Sequence, residues 1–402
     1  MNKPEQFRFA DAYPDLNRGP VPVEPYISAA YFEKEREAIF RRHWMNVCRI
    51  DDVPNPGDYI VKDIAILNTS LLIVHGSDGT VRAFHNVCQH RGNQLVGDHT
   101  KGCSKFFSCG FHGWVYDAEG KLVNVPDAEE FYDLDRDSLR LKQLPCELWN
   151  GFVFFHPQPE PDQPLVEFLG ELGELLKDYP FAQMRRVGAW RTKVACNWKV
   201  FIDAFQEGYH VPVVHRRSFP DVYVAGNSSS CTLGGARLYE KHRALSTPAG
   251  LSRNPKPTEA LVLKLTSALT RDMDNADSLM PGLNPTGIDE WAFDINVFYP
   301  NFFIDPANGW YFSYNFWPIS VNETYWEVNI HMMTPANLAI DVAQEYSKIL
   351  FRDALLEDSS TLERTQLGLE SGAITHLTFS DQEIACRHLN HVVERDLRNA
   401  GG

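Results

Sequence analysis

No run of apolar residues in this 402-residue chain approaches the roughly 20 needed to cross a bilayer. The longest candidate, Gly151-Phe152-Val153-Phe154-Phe155, has the length of a strand. Met1–Pro14 is polar and lacks the apolar core of a secretory signal, so a cytoplasmic protein without a membrane partner is expected. Positive charge is also scarce: 38 Lys and Arg stand against 53 Asp and Glu, a net charge of −15. That argues against a nucleic-acid partner held through phosphates, though a local basic patch for a protein partner remains open. No G-x-G-x-x-G follows a strand, so a dinucleotide-binding fold is missing. There is no internal repeat and no low-complexity tract.

Eight cysteines, at 48, 88, 103, 109, 146, 196, 231 and 386, are too scattered for a small disulfide scaffold. Two of them stand beside histidines. Cys88-Gln89-His90 is answered by Cys109-Gly110-Phe111-His112. Zinc fingers usually pair Cys with Cys and His with His. Here each segment offers one thiolate and one imidazole, which suits a [2Fe–2S] cluster with two Cys on one iron and two His on the other. Such thiolates need a reducing compartment. Cys103 falls outside both pairs and reads as a bystander; His85 and His99 read as structural or exposed.

The length suggests two or three domains. Residues 1–43 read as a polar arm and a helix over Tyr31–Arg42, with Ser28 as N-cap. From Trp44 short β-branched runs alternate with turn signals, an all-β domain over 44–157. Pro157, Pro159, Pro161 and Pro164 form a stiff boundary before a domain over 158–402. That second domain reads as α+β. Asn197 caps a helix Trp198–Val211, strands recur at Trp291–Ile304, Gly309–Ile319 and Tyr325–Met333, and Asp341 with Gln344 makes a capping box for a long last helix. Residues 221–285 are rich in Gly, Ser and Pro, with one helix near 258–271, and read as a lid or entry channel.

On that first helix Asp203, Glu207 and His210 fall at i, i+4 and i+7, one helix face, with His215 just past Pro212. Two His and a carboxylate with open positions make the facial triad of non-haem Fe(II) oxygenases. Alone, His-x4-His is a weak signal and more often a structural pair.

Phe84 to Gly92 with Cys109 to Tyr116 closely resembles the cluster segments of the Rieske ring-hydroxylating oxygenases. Asn197-Trp198-Lys199 through Tyr209-His210 and His215 is similar to the mononuclear-iron segment of their large (alpha) subunits. Leu356 to Leu369 resembles their C-terminal helix. The resemblance implies Cys88, His90, Cys109 and His112 as ligands of a Rieske [2Fe–2S] cluster, and His210, His215 and Asp358 as ligands of Fe(II). Asp353 is the rival for the last ligand; Glu357, Glu363 and Glu370 read as solvated acids. Glu207 corresponds to a carboxylate linking His210 to His112 of a neighbouring subunit, with Asp203 as a supporting group. The implied fold is an all-β Rieske domain plus a helix-grip (START/Bet v1-like) catalytic domain with an antiparallel sheet flanked by helices.

The resemblance further implies a terminal oxygenase component acting in aromatic-compound catabolism. It takes O2 as co-substrate, uses NAD(P)H only indirectly through a ferredoxin or flavin reductase, and assembles as a homotrimer with or without a small beta subunit. The reaction is mono- or cis-dihydroxylation of an aromatic or other hydrophobic substrate; oxidative demethylation and quaternary-ammonium monooxygenation are alternatives within the family. A Rieske electron carrier without oxygenase activity is the alternative outside it. Phe205, Val211, Trp291, Phe293, Phe303 and Phe316, with Phe298 and Phe312, are the candidate pocket residues. So aromatic a sheet favours a neutral hydrophobic substrate over a quaternary ammonium.

Overall fold

The computed structural model describes residues 8–97, 101–218, 233–248, 257–258, 260–262, 279–289 and 291–401. Two compact units emerge: Arg36–Phe168, and Met1–Glu35 with Leu169–Gly402. No helix among the described residues is long and apolar enough to cross a membrane.

The smaller unit is built from three antiparallel sheets. Five strands run in the order Gln143–Leu144, Val81–His85, Thr69–His75, Asp58–Ile64, Lys101–Cys103. A three-stranded sheet joins Cys146–Trp149, Phe152–Phe155 and Met45–Arg49. The third sheet, Phe106–Ser108, Val115–Asp117 and Leu122–Asn124, carries residues 109–114 at its first hairpin. Gly57, Gly79 and Gly120 adopt positive φ at the turns between strands.

The larger unit wraps helices over one seven-stranded antiparallel sheet. Its order is Met184–Val194, Glu323–Met333, Trp310–Ser320, Phe302–Ala307, Trp291–Phe298, Arg243–Pro248, Gly235–Leu238. Alternation along these strands separates two faces. Phe303, Phe312, Tyr314, Phe316 and Trp326 share one, because Phe303 pairs with Tyr314 and Phe316 with Trp326. The helix Trp198–Ala204 and the long helix Leu338–Glu370 cover that face: Phe201 lies 5.1 Å from Phe316, and Phe351 lies 5.1 Å from Phe312. Phe298 alternates to the other face and packs on Phe302, so it leaves the set of pocket candidates.

Several expectations need correction. Asn197 does cap its helix, its side chain accepting from Lys199 N at 3.0 Å, but that helix stops at Ala204 rather than Val211. Phe205 leaves helical geometry, so Asp203, Glu207 and His210 do not share one helix face. The long helix is capped by Asn337, whose Oδ1 accepts from Ile340 N, and not by Asp341 and Gln344. Asp341 pairs with Arg185, and Gln344 donates to the Met333 carbonyl. It is also not the last helix, because Ile384–Ala400 follows. The 221–285 stretch supplies the last two strands at one end of the sheet; most of the rest of it, including 263–271 of the expected helix, lies outside the described residues.

The arm is fastened to the core of this unit by charge. Ser28 Oγ accepts from Tyr31 N and starts the helix Ala29–Glu35. Its last residue, Glu35, is fully buried and meets Lys199 Nζ at 2.5 Å, with Trp198 Nε1 on its other oxygen at 3.0 Å. Burial pushes Glu35 up and Lys199 down, each toward its neutral form, and the partner's charge opposes this in both. Removing one partner of such a pair costs about 3–5 kcal/mol. Lys199→Met is therefore expected to lose stability on that order in denaturant unfolding, and Glu35→Gln in the same chain to restore most of it.

Candidate metal centres

His210 and His215 flank one short helical turn, Val211–Val214, with Pro212 in its first turn. His215 N returns to the Val211 carbonyl at 3.1 Å, which brings the two imidazoles to 5.3 Å between centroids. Asp358 projects from the middle of the long helix. Its Oδ1 lies 3.4 Å from His210 Nε2 and 3.0 Å from His215 Nε2. The three ligand atoms lie within 4.8 Å of one another.

Each imidazole is held from behind. Glu207 Oε1 is 2.5 Å from His210 Nδ1, and Glu357 Oε2 is 3.0 Å from His215 Nδ1. A carboxylate on Nδ1 fixes the proton there and turns the Nε2 lone pair toward the centre. Adjacent helix positions diverge by about 100°. Asp358 and Glu357 thus serve the two nitrogens of one ring from neighbouring residues. Glu357 was expected to be a solvated acid; it holds His215 and takes Ser218 N at 3.2 Å. Glu363 and Glu370 are not free acids either, accepting from Ala195 N and from Asn322 and Gln366 respectively. Asp353 is half-buried and pairs with Arg352 rather than joining the trio.

Two imidazole nitrogens and one carboxylate oxygen suit a divalent transition metal. Burial lowers the His210 pKa, but the hydrogen bonds to Asp358 and Glu207 outweigh it and carry it to about 10; His215 is raised as well. Asp358 is held low by the two imidazoles despite its burial. The trio is thus a tight polar knot that a cation enters by displacing protons.

Asp203 lies elsewhere, taking the Tyr26 hydroxyl at 2.8 Å and Gln206 Nε2 at 3.0 Å. Gln206 Oε1 in turn accepts from the fully buried Arg243.

In the smaller unit the two Cys–His loops are built alike. Gly92 N returns to the Cys88 carbonyl and Gly113 N to the Cys109 carbonyl, both at 3.0 Å, and both glycines adopt positive φ. These tight turns aim backbone N–H groups at sulfur: His90 N–H at Cys88, Phe111 and His112 N–H at Cys109. Buried Asn86 ties the first loop at its base, donating to the Val96 carbonyl at 2.8 Å and accepting from Val96 N at 3.0 Å. Cys88 and Cys109 are buried, while His90 and His112 stand 4.5 Å apart nearer the surface. His90 Nδ1 is buried with no hydrogen-bond partner, as a ligand nitrogen facing a metal would be. Trp114 stacks on His90 at 4.8 Å and packs beneath the loops. Tyr116 does more than pack: its hydroxyl lies 3.5 Å from Cys88 Sγ and accepts from Gln89 N at 3.0 Å. Cys103 is exposed, and His85 Nδ1 is engaged by Thr69. His99 and Cys231 lie outside the described residues.

Residues 181–399, more than half of the chain, match the ring hydroxylating alpha subunit (catalytic domain) family, and residues 43–145 match the Rieske [2Fe-2S] domain. The chain belongs to the ring-hydroxylating alpha subunits. It is 29% identical over 196 residues to the carnitine monooxygenase oxygenase subunit of Escherichia coli (strain K12), covering 48% of this chain and 52% of that one. It is 34% identical over 191 residues to the large oxygenase component of the 2,4-dinitrotoluene dioxygenase system of Burkholderia sp. (strain RASC), covering 46% and 42%. The chain spans about half the length of the curated relatives it matches. Whole-chain likeness is seen in the fold. A quaternary ammonium Rieske monooxygenase superposes with a TM-score of 0.75 at 20% identity, over 96% of this chain and 97% of that one. Naphthalene 1,2-dioxygenase from Rhodococcus sp. does so with 0.75 at 19%, over 94% of each.

Of the remaining pocket candidates, Phe205, Phe293, Phe303, Phe312 and Phe316 share the helix-covered face or pack against it. Val211 is half-buried beside His210, and the Trp291 indole donates to Asp294.

Two outcomes follow from these contacts. Removing a carboxylate behind a ligand histidine typically costs 10–100-fold in metal affinity. Glu357→Gln is thus expected to weaken Fe(II) binding by the larger unit in that range, measured by metal titration, while leaving the visible absorption of a Rieske cluster unchanged. Burial raises Asp203 to about 7, against the hydrogen bonds of Tyr26 and Gln206. A carboxyl raised on folding stabilises most below its ordinary value, and that contribution is lost as pH rises through the folded value. Wild type should therefore lose stability relative to Asp203→Asn between about pH 4 and 7, measured by denaturant unfolding across that range.

Proposed function

We propose that this chain is the terminal oxygenase component of a multicomponent system, with Fe(II) held by His210, His215 and Asp358 and a [2Fe–2S] cluster held by Cys88, His90, Cys109 and His112. The observation that carries this reading is the convergence of His210 Nε2, His215 Nε2 and Asp358 Oδ1, each imidazole braced by its own glutamate. A pure electron carrier needs no such second centre. When bound, the two metal groups supply one-electron transfer and O2 activation, chemistry that side chains do not provide.

The residues orient and insulate. Glu207 and Glu357 hold the imidazole protons on Nδ1, leaving three protein donors and open positions for O2 and substrate. Phe205, Phe312 and Phe316 offer an apolar wall that keeps water from the site and suits a hydrophobic substrate. Glu207, on His210 Nδ1, is the group suited to receive electrons from His112 of a neighbouring subunit. That route requires a closed ring of subunits, for which we infer a trimer. Reducing equivalents arrive from a separate ferredoxin or flavin reductase.

Asp358→Ala is expected to abolish turnover while the Rieske absorption persists. Glu207→Gln, loaded with excess Fe(II) to offset a weaker hold on His210, should fail to pass electrons in single-turnover kinetics; a wild-type rate at full iron occupancy would remove the bridge from the account.

A further inference from the structure

On the sheet face covered by Phe201, Phe205 and Phe351 stands one residue out of keeping with its neighbours. Asp305 pairs with Phe312 across the sheet and shares its face. It is 6% exposed. It is hydrogen-bonded to the Tyr314 hydroxyl, and its Oδ1 is buried with no hydrogen-bond partner. The charged group acting on it is another acid, Asp294, which adds repulsion. Arg243, on the same face, donates its Nε to Gln206 and acts with Asp203, Cys386 and Tyr299; it is not among the groups acting on Asp305. A buried carboxylate kept only for structure would normally have a cationic or fully hydrogen-bonded partner.

Its surroundings are rings. Phe312 stacks on Tyr314 at 5.5 Å, Trp310 lies 5.5 Å from Phe312, and Phe351 lies 5.1 Å from both Trp310 and Phe312. Tyr314 also feels the charge of Asp358, which places this cluster on the side of the metal trio. Ring faces and a carboxylate attract the same ligand, a positively charged group with apolar substituents. A neutral hydrocarbon would leave Oδ1 buried and unpartnered.

We propose that Asp305, with Tyr314, Phe312 and Trp310, is the specificity element of the substrate site and recognises an organic cation, a substituted ammonium nitrogen. This rests on the reading that His210, His215 and Asp358 hold the iron. Burial pushes the Asp305 carboxyl well above the usual range, as expected of an acid waiting for a counter-charge. It also reverses the expectation from the aromatic sheet alone, which favoured a neutral substrate.

The test is binding to the full chain carrying both metals. Choline and phenyltrimethylammonium are titrated calorimetrically against their neutral carbon isosteres, 3,3-dimethylbutan-1-ol and tert-butylbenzene, with iron content measured on the same preparations. At least one cation should bind about tenfold or more tighter than its isostere, and Asp305→Asn should cut that preference to within about threefold while the isostere's affinity stays. If Asp305→Asn does not fold, Tyr314→Phe should weaken the preference in the same direction. Equal binding within both pairs, no binding by any probe, or a preference that survives Asp305→Asn overturns the inference. Iron found only in the cluster would instead overturn the oxygenase reading, whatever the cations do.

Discussion

The candidate iron site depends on two carboxylate–imidazole contacts, Glu207 with His210 and Glu357 with His215. Without them each ring could turn, protonate on either nitrogen and collapse onto Asp358. With them both Nε2 atoms face one carboxylate oxygen, and the site acquires a direction. Much of the larger unit serves this geometry. The long helix supplies Glu357 and Asp358 one after the other, the turn around Pro212 sets the spacing of the histidines, and the sheet gives both a wall to lean on.

The smaller unit solves a different problem in the same way. Its two loops close on themselves through Gly92 and Gly113, so their N–H groups meet sulfur rather than water. Hydrogen bonds to sulfur stabilise the added negative charge of a reduced cluster. Tyr116 adds a hydroxyl beside Cys88, and Trp114 shields the histidine side. Both sites thus rest on groups behind the ligands that fix the ligands' direction.

The candidate ligands were legible in the sequence because their spacing is local: Cys-x-His, Cys-x-x-His and His-x4-His each lie within one turn or loop. What the spacing could not show was how the chain leaves a helix. The stretch from Trp198 reads as helical to Val211, yet ends at Ala204, because tertiary packing, not propensity, decides where a short helix stops. The same limit hid Glu357. Nothing in its helical neighbourhood marks it, and only the approach of His215 from 142 residues away gives it a task. Asp305 was missed for a related reason. A single acid in the run Phe302-Phe303-Ile304-Asp305 looks like a strand end, and its significance depends on which face of the sheet is covered. Asn337 took the capping role expected of Asp341 because it alone sits where the extended backbone turns into the helix.

The central claim is that each chain carries a mononuclear iron in addition to the cluster. Iron analysis with Mössbauer spectroscopy of the anaerobically reduced protein tests it most directly. The account predicts a Rieske [2Fe–2S] signature together with a separate high-spin ferrous signal of about one iron per chain, lost in Asp358→Ala. Iron confined to the cluster, or a ferrous signal that persists in Asp358→Ala, would contradict it.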